Sequence, residues 1–338
     1  MTDRPAPRRP PPDMTGHAAP RSAVLDPERF IDLVELGIRA PSVHNSQPWR
    51  FRRRGDAVEI LSDAGRALPA TDPTGWGTRL AIGAAAYNVR LGYLLLGWAP
   101  DVQPFPEPAQ PDLLVRVRPI VVRPATPAER TCADAIPRRH TNRRPYLDAR
   151  VPDPMLAELA EAATADSCRL TVLGPRAHAE VAGLLRDADQ ELERRPGYTA
   201  ERRAWVRGLP AGPDGISWDL LAGRPHPDEP LRRRDFGEAN GSLARRYESD
   251  PCVAVLTTSS FGRYDELRAG QALQHVLLLA TASGLTSSLF SQVIEVPATR
   301  TQLGRVVGGG VPQMVLRFGY GLAHGPTSRR AAPDVVEE

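Results

Sequence analysis

The chain has 338 residues, enough to bury a sizeable core in one large domain or about two smaller ones. Lys plus Arg is 43 against 40 for Asp plus Glu, a net charge of +3, which gives no global case for a nucleic-acid partner. The three cysteines Cys132, Cys168 and Cys252 form neither a C-x-x-C pair nor a Cys/His cluster at zinc spacing, and a reducing cytoplasm suits them best.

In chain order, residues 1–22 are rich in Pro and Arg and lack an apolar h-region, so a disordered tail is expected there. "DPERFIDLVELGIRAPS" then offers Asp26 as an N-cap, Pro27 at the first helical position, and Phe30, Leu33, Val34 and Ile38 on one stripe, with Pro41 ending the helix. It runs into "APSVHNSQPWRF", residues 40–51, crowded with hydrogen-bonding groups but uncharged until Arg50. Such a stretch suits something polar, flat and mostly neutral. "AVEILSD" and "LLVRVRP" read as strands, and between them an apolar helix is expected from about Thr78 to Trp98.

The second half restates this plan. "DPMLAELAEAA" repeats the Asp-Pro start at Asp153 and Pro154, "RLTVLG" and "CVAVLTT" read as strands, and "DELRAGQALQHVLLLATASGL" is a second long apolar helix. The long helices superimpose at an offset of 270 − 83 = 187, which matches Gly83 with Gly270, Gly97 with Gly284, Ala85 with Ala272 and Val89 with Val276. Gly inside a helix costs about 1 kcal/mol relative to Ala, so matched glycines imply two related half-units with these helices packed together. Both helices approach membrane length, but Arg90 interrupts one and Gln274, His275 and Gly284 the other, so both are expected to be buried in a soluble protein. Residues 185–245 have no counterpart in the first half, crowd Arg, Pro and Gly together, and scatter Tyr198, Trp205 and Trp218 among them. They read as a lid or as a solvated excursion.

There is no G-x-G-x-x-G after a strand, no Walker A sequence, no H-E-x-x-H and no G-x-S-x-G, so NTPase, metalloprotease and hydrolase readings lack a foothold. "GGG" at 308–310 reads as a turn before the strand "QMVLRFGYG". What remains are anion-binding pieces. "RRHTNRRPY" gathers Arg139, His140, Thr141 and Arg143, and "HGPTSRRAAP" offers Thr327, Ser328, Arg329 and Arg330; guanidinium forks and hydroxyls of this kind converge well on a phosphate. Taken alone, an arginine cluster is more often a solvated face than a site. His44 has the alternative of capping a turn, Trp49 of packing the loop on the core, and His275 of being a satisfied interface histidine.

Together, "APSVHNSQPWRF", "RRHTNRRPY", the "GL" helix end and the terminal "PTSRR" resemble the nitroreductase family of flavoproteins, most of all its long single-chain Acg-like subfamily, over about residues 23–330. The resemblance implies an α+β nitroreductase fold with central sheets flanked by helices. It implies two half-units, 23–130 and 131–330, forming a pseudo-dimer in one chain, with the lid at 185–245 and a tail at 331–338. One FMN site is implied: Arg139, His140, Thr141 and Arg143 on ribityl and phosphate, and Arg329, with Thr327 and Arg330, closing on the phosphate. Pro41, Ser42, Asn45 and Gln47, with His44, Pro48, Trp49, Arg50 and Phe51 of the same element, would reach the ring from the opposite half-unit. Ser291 and Gln292 would lie at its reactive edge, and Tyr198, Trp205 and Trp218 in the lid over it. Each half supplies what the other lacks, since the first has no R-H-[S/T] string and the second has "TADSCRL" where P-S-x-x-N-x-Q-P-W should stand.

The implied activity is hydride transfer from NAD(P)H to FMN and onward to a quinone or nitroaromatic acceptor. The alternative is a flavin-sequestering protein whose lid blocks hydride access. A small-molecule electron acceptor is the expected partner, with no nucleic acid and no membrane. The chain is expected to be a cytoplasmic monomer or weak homodimer.

Overall fold

The computed structural model of the chain describes residues 25–208, 212–221, 229, 231–236, 248–321, 325 and 327–337. The tail expected at 1–22 lies outside them. Helix α1 spans Pro27–Gly37 and starts as its sequence dictates, with the Asp26 side chain accepting from the Arg29 N–H at 2.8 Å and Pro27 in the first turn. Strands β1 (Trp49–Arg54) and β2 (Ala57–Ser62) form a hairpin, α2 is Trp76–Leu95, and β3 (Trp98–Pro104) pairs with β4 (Leu113–Val122). The sequence runs α2 on to Trp98, but Gly97 turns the chain at φ 88° and Trp98 opens β3 instead.

Helices α3 (Pro127–Ala135) and α4 (Asp153–Ala165), strand β5 (Arg169–Val172) and α5 (Pro175–Arg194) follow. The expected irregular insertion thus begins later than residue 185. Val181, Leu185, Ala188 and Leu192 carry the buried stripe of α5 through to Arg194. Then come α6 (Tyr198–Ala204), the short parallel pair β6 (Val206–Arg207) and β7 (Ile216–Ser217), β8 (Cys252–Thr258), α7 (Arg263–Ala282) and β9 (Thr286–Phe290). The chain closes with α8 (Gln292–Glu295), α9 (Pro297–Val306), β10 (Val311–Gly319) and β11 (Val336–Glu337).

These strands make an α+β protein with two main sheets, ordered β11-β1-β2-β4-β3 and β5-β8-β10-β9. The first packs on α1 and α2 through Phe30, Val34, Phe51, Ile60 and Val89. The second packs on α4, α5 and α7 through Leu159, Leu185, Val255, Val276 and Val315. The expected tail from 331 is instead part of the first sheet. Ala332 and Val335 are buried in its core, and Val336 pairs in parallel with Phe51 of β1. No local periodicity announces a two-residue strand whose partner lies 285 positions earlier (336 − 51).

Between the sheets, α2 crosses α7. A Cβ on Gly83 would run into the Leu267 carbonyl, and one on Gly270 into the Leu80 carbonyl. These contacts exchange under the offset of 187, since 83 + 187 = 270 and 80 + 187 = 267. So do two further contacts: Gln274 donates to Asn88 Oδ1 at 2.8 Å, and His275 stacks on Tyr87 with ring centroids 5.1 Å apart. His275 also sits 3.0 Å from the Asp166 carboxylate through Nδ1. Among the described residues, no helix is long and apolar enough to cross a membrane.

Candidate functional site

Pro41 disfavours continuation of α1, and the chain enters a loop in which His44, Asn45 and Gln47 all take left-handed φ of 54°, 55° and 53°. Each such non-glycine residue carries strain of about 1–3 kcal/mol and persists only where the surroundings over-determine it. Here they do. Ser42 Oγ accepts from the Gln47 N–H at 3.0 Å, Asn45 Nδ2 donates to the carbonyls of Gly215 at 2.9 Å and Ser328 at 3.0 Å, and Gln47 Nε2 donates to that of Pro213 at 2.9 Å. The Arg330 N–H donates to Gln47 Oε1 at 2.9 Å, and its guanidinium donates to the carbonyls of Gln47 at 3.0 Å and Trp49 at 2.9 Å. One loop therefore ties the insertion and the C-terminal segment together.

This clamp faces a cavity. Pro41, Ser42, His44 and Asn45 line one side, Arg139, His140, Thr141 and Arg143 another, and Ser291, Gln292, Thr327 and Arg329 complete the part that the sequence anticipates. The Arg139–Arg143 string is held in place by β9: Thr141 bridges Ser287 in parallel, and the Asn142 N–H donates to the Ser287 carbonyl at 2.9 Å. His140 is anchored through Nδ1, 2.9 Å from the Arg138 carbonyl.

Other expected residues do not reach the cavity. Trp49 and Phe51 are fully buried in the core of the first sheet, because β1 begins at Trp49 and turns alternate side chains onto α1 and α2. Arg50 pairs with Glu337 of β11 at 2.5 Å, and the Pro48 carbonyl accepts from the Asp63 N–H at 3.1 Å. Gln47 and Arg330 brace the wall from behind.

None of Tyr198, Trp205 and Trp218 lines the cavity, which corrects the expected lid contacts. Tyr198 is buried against Ala188, Leu192 and Val296, Trp205 lies beneath the guanidinium groups of Arg66 and Arg207, and Trp218 is 42% exposed. The insertion reaches in through Leu221, Arg233, Arg234 and Phe236 instead. Arg234 fastens it: its guanidinium donates to Tyr198 Oη, to Ser291 Oγ at 3.1 Å and to Glu295 Oε1 at 2.6 Å. Phe236 meets His44 edge-on at 5.6 Å. The run "RRRDF" at 232–236 was the available signal, an aromatic beside clustered arginines. Arg39, also in the lining, immediately precedes the quoted motif.

The electrostatics divide the cavity into two ends. At one, Arg139 donates to the Arg39 carbonyl at 2.7 Å, while Arg329 donates to those of Ile38 at 2.9 Å and Ala40 at 3.1 Å. Both guanidinium groups thus gather on carbonyls at the negative end of α1. Neither meets a carboxylate among the described residues. Burial, then the charge of Arg39, draws Arg139 down to about 10, and burial, then the charges of Arg139, Arg39 and Arg143, draws Arg329 far below its usual range. Because guanidinium stays protonated in proteins, these directions report a strongly positive pocket that an anion would relieve.

At the other end, burial and then the charges of Arg234, Arg143 and Arg202 hold the His44 imidazole neutral. His44 Nε2 and Asn45 Oδ1 are buried without a hydrogen-bond partner among the described residues, a condition that costs roughly 1–3 kcal/mol each unless a ligand meets it. The arrangement can therefore hold an anionic group at Arg139 and Arg329 and offer unmet hydrogen-bonding atoms of His44 and Asn45 to the rest of the ligand, with Arg143 and Arg234 close by. No group of side chains among the described residues could hold a metal ion.

No protein-family model matches the chain. A Mycobacterium tuberculosis H37Rv protein provisionally named NAD(P)H nitroreductase Rv3131 is 33% identical over 340 residues, covering 96% of each chain. The protein called acg of the same strain, provisionally named in the same way, is 31% identical over 289 residues, covering 85% of this chain and 87% of the other. A nitroreductase with bound FMN from Desulfitobacterium hafniense is 12% identical, covers 62% of this chain and 98% of that one, and has a TM-score of 0.40, too distant to carry an argument. With one-third identity to the first of these relatives over almost its whole length, the chain belongs to the nitroreductase family.

Proposed function

We propose that this protein is an FMN-dependent NAD(P)H oxidoreductase acting on a small quinone or nitroaromatic acceptor in the cytoplasm. The observation that carries the reading is the meeting of Arg139 and Arg329 on the carbonyls of Ile38, Arg39 and Ala40, just past the end of α1, with no carboxylate between them among the described residues. A phosphomonoester, close to doubly negative at neutral pH, suits that end, with Thr141 and Thr327 supplying hydroxyls. The unmet polar atoms of His44 and Asn45 suit the rim of a flavin ring. FMN, when bound, supplies the hydride-accepting and electron-passing chemistry. The protein's share is to grip the anionic end, hold a neutral imidazole near the ring end, and exclude water with Phe236 and Leu221. The names of the mycobacterial relatives support this reading.

The exchange of contacts between α2 and α7 supports two half-units, the first providing Ser42–Asn45 and the second Arg139–Arg143, Ser291 and Arg329 to a single site. A single chain then suffices for one cofactor.

A second reading draws on the fastening of the insertion. With Arg234 bonded to Ser291 and Glu295, and Phe236 against His44, the lid would cover the flavin and make the protein a flavin-holding one. Anaerobic addition of NADPH to the yellow protein in the dark separates the two. Bleaching within seconds to minutes supports the reductase, and no bleaching over minutes rejects it in favour of sequestration.

A further inference from the structure

A second cavity, of about 860 Å³, falls within the roughly 300–1,000 Å³ range of small-molecule sites. Glu295, in its lining, also pairs with Arg234 of the first cavity. Trp76, Phe261 and Arg300 give it a planar face. The Arg300 guanidinium lies over both rings, 5.8 Å from the Trp76 centroid and 5.1 Å from that of Phe261. Its Nε and Nη2 donate to the Pro312 carbonyl at 2.8 Å and to Gln313 Oε1 at 2.9 Å, so its plane is fixed. Phe261 is 69% exposed, apolar area that a stacked ring would remove from water.

The polar part of the lining asks for donors. Thr71 Oγ1 and Glu295 Oε2 are buried without a hydrogen-bond partner among the described residues, although Thr71 is only 1% exposed and the Glu295 side chain 1%. Charge of both signs lines the cavity, Glu295 and Asp72 against Arg195, Arg300 and Arg305, so no single charge on a ligand is called for. The Arg195 guanidinium in the lining is already engaged with the carbonyls of Ala70 at 2.7 Å and Glu295 at 3.1 Å.

We propose that this cavity is a binding site for a small, uncharged planar aromatic molecule bearing a hydrogen-bond donor such as an amine, hydroxyl or primary amide. Its ring stacks on the Phe261–Arg300 face and its donor meets Thr71 and Glu295. Asp72 adds to the demand: burial, opposed by bonds from the Gly77 and Thr78 N–H groups, lifts its carboxyl to about 6, with the Glu295 charge acting the same way as burial. The assignment stands apart from the flavin reading, since it uses none of the arginines at the anionic end of the first cavity.

The test is calorimetric titration of the full chain with aniline and, as the analogue lacking a donor, toluene. Aniline binds about tenfold tighter than toluene, and Thr71→Val and Phe261→Ala each weaken it about fivefold. Arg139→Ala leaves it unchanged. Phe261 is a surface side chain, so its removal leaves the fold intact, as an unchanged melting temperature verifies. Equal affinity for the two probes, absence of aniline binding, insensitivity to both Thr71→Val and Phe261→Ala, or loss on Arg139→Ala each overturns the proposal.

Discussion

Gly83 of α2 and Gly270 of α7 meet so closely that a Cβ on either would enter the backbone of the other helix, at Leu267 and Leu80 respectively. Ala favours an isolated helix over Gly by about 1 kcal/mol, yet at this crossing packing decides the sign. Gly83→Ala or Gly270→Ala is expected to destabilise the protein by about 3 kcal/mol or more by forcing the helices apart. Urea denaturation followed by circular dichroism checks this; an unchanged midpoint would show that the helices can part freely.

The anionic end of the first cavity makes a separable prediction. Arg139→Ala with Arg329→Ala removes two guanidinium groups that, among the described residues, donate to backbone carbonyls. Each charge-assisted bond to a phosphate is worth about 1.5–3 kcal/mol, roughly 10- to 150-fold in affinity. The double variant should lose its flavin on a gel-filtration column. Retention of one flavin per chain would move the phosphate elsewhere.

Asp72 provides a pH dependence with a definite sign. Its carboxyl is lifted from 3.8 to about 6, chiefly by burial, so the native state holds its proton more tightly than the unfolded state. The stability this gives is fully present below pH 3.8 and is lost as pH rises through about 6. Asp72→Asn should keep an acceptor for the Thr78 N–H, which now bonds Oδ2 at 3.0 Å. It should raise stability at pH 8 by on the order of 3 kcal/mol, with the gain fading toward pH 4. A series of melting curves from pH 4 to 8 measures it; a variant equally or less stable at pH 8 would contradict the account.

Phe236 tests the cover. Phe236→Ala removes the ring that meets His44 edge-on, and stopped-flow NADPH bleaching should accelerate by about tenfold if lid opening limits access. Flavin content should stay the same. An unchanged rate would mean that the insertion does not gate the site.

What the sequence revealed depended on how local each signal was. The Asp26–Pro27 helix start and the paired glycines are carried by neighbouring residues, and they appear where expected. Asn45 and Gln47 were legible as hydrogen-bonding residues, but their partners, Gly215, Ser328, Pro213 and Arg330, lie 166 to 283 positions away in sequence (213 − 47 = 166; 330 − 47 = 283 at the widest). Nothing short-range could indicate that both would spend donors clamping main chain. Trp205 and Trp218 drew attention as large aromatics, whereas the cavity is reached by Phe236, whose place depends on the distant bonds of Arg234 to Ser291 and Glu295. The segment from Ala332 to Glu337 looked like a tail because a parallel partner on β1 leaves no periodic trace.

The central claim is that one chain holds one FMN with its phosphate at Arg139 and Arg329. Mass spectrometry of the chromophore released on denaturing the purified protein, with its absorbance set against protein concentration, tests it most directly. FMN at one per chain is the predicted result. A chain that carries no flavin and takes up none from added FMN would contradict the account.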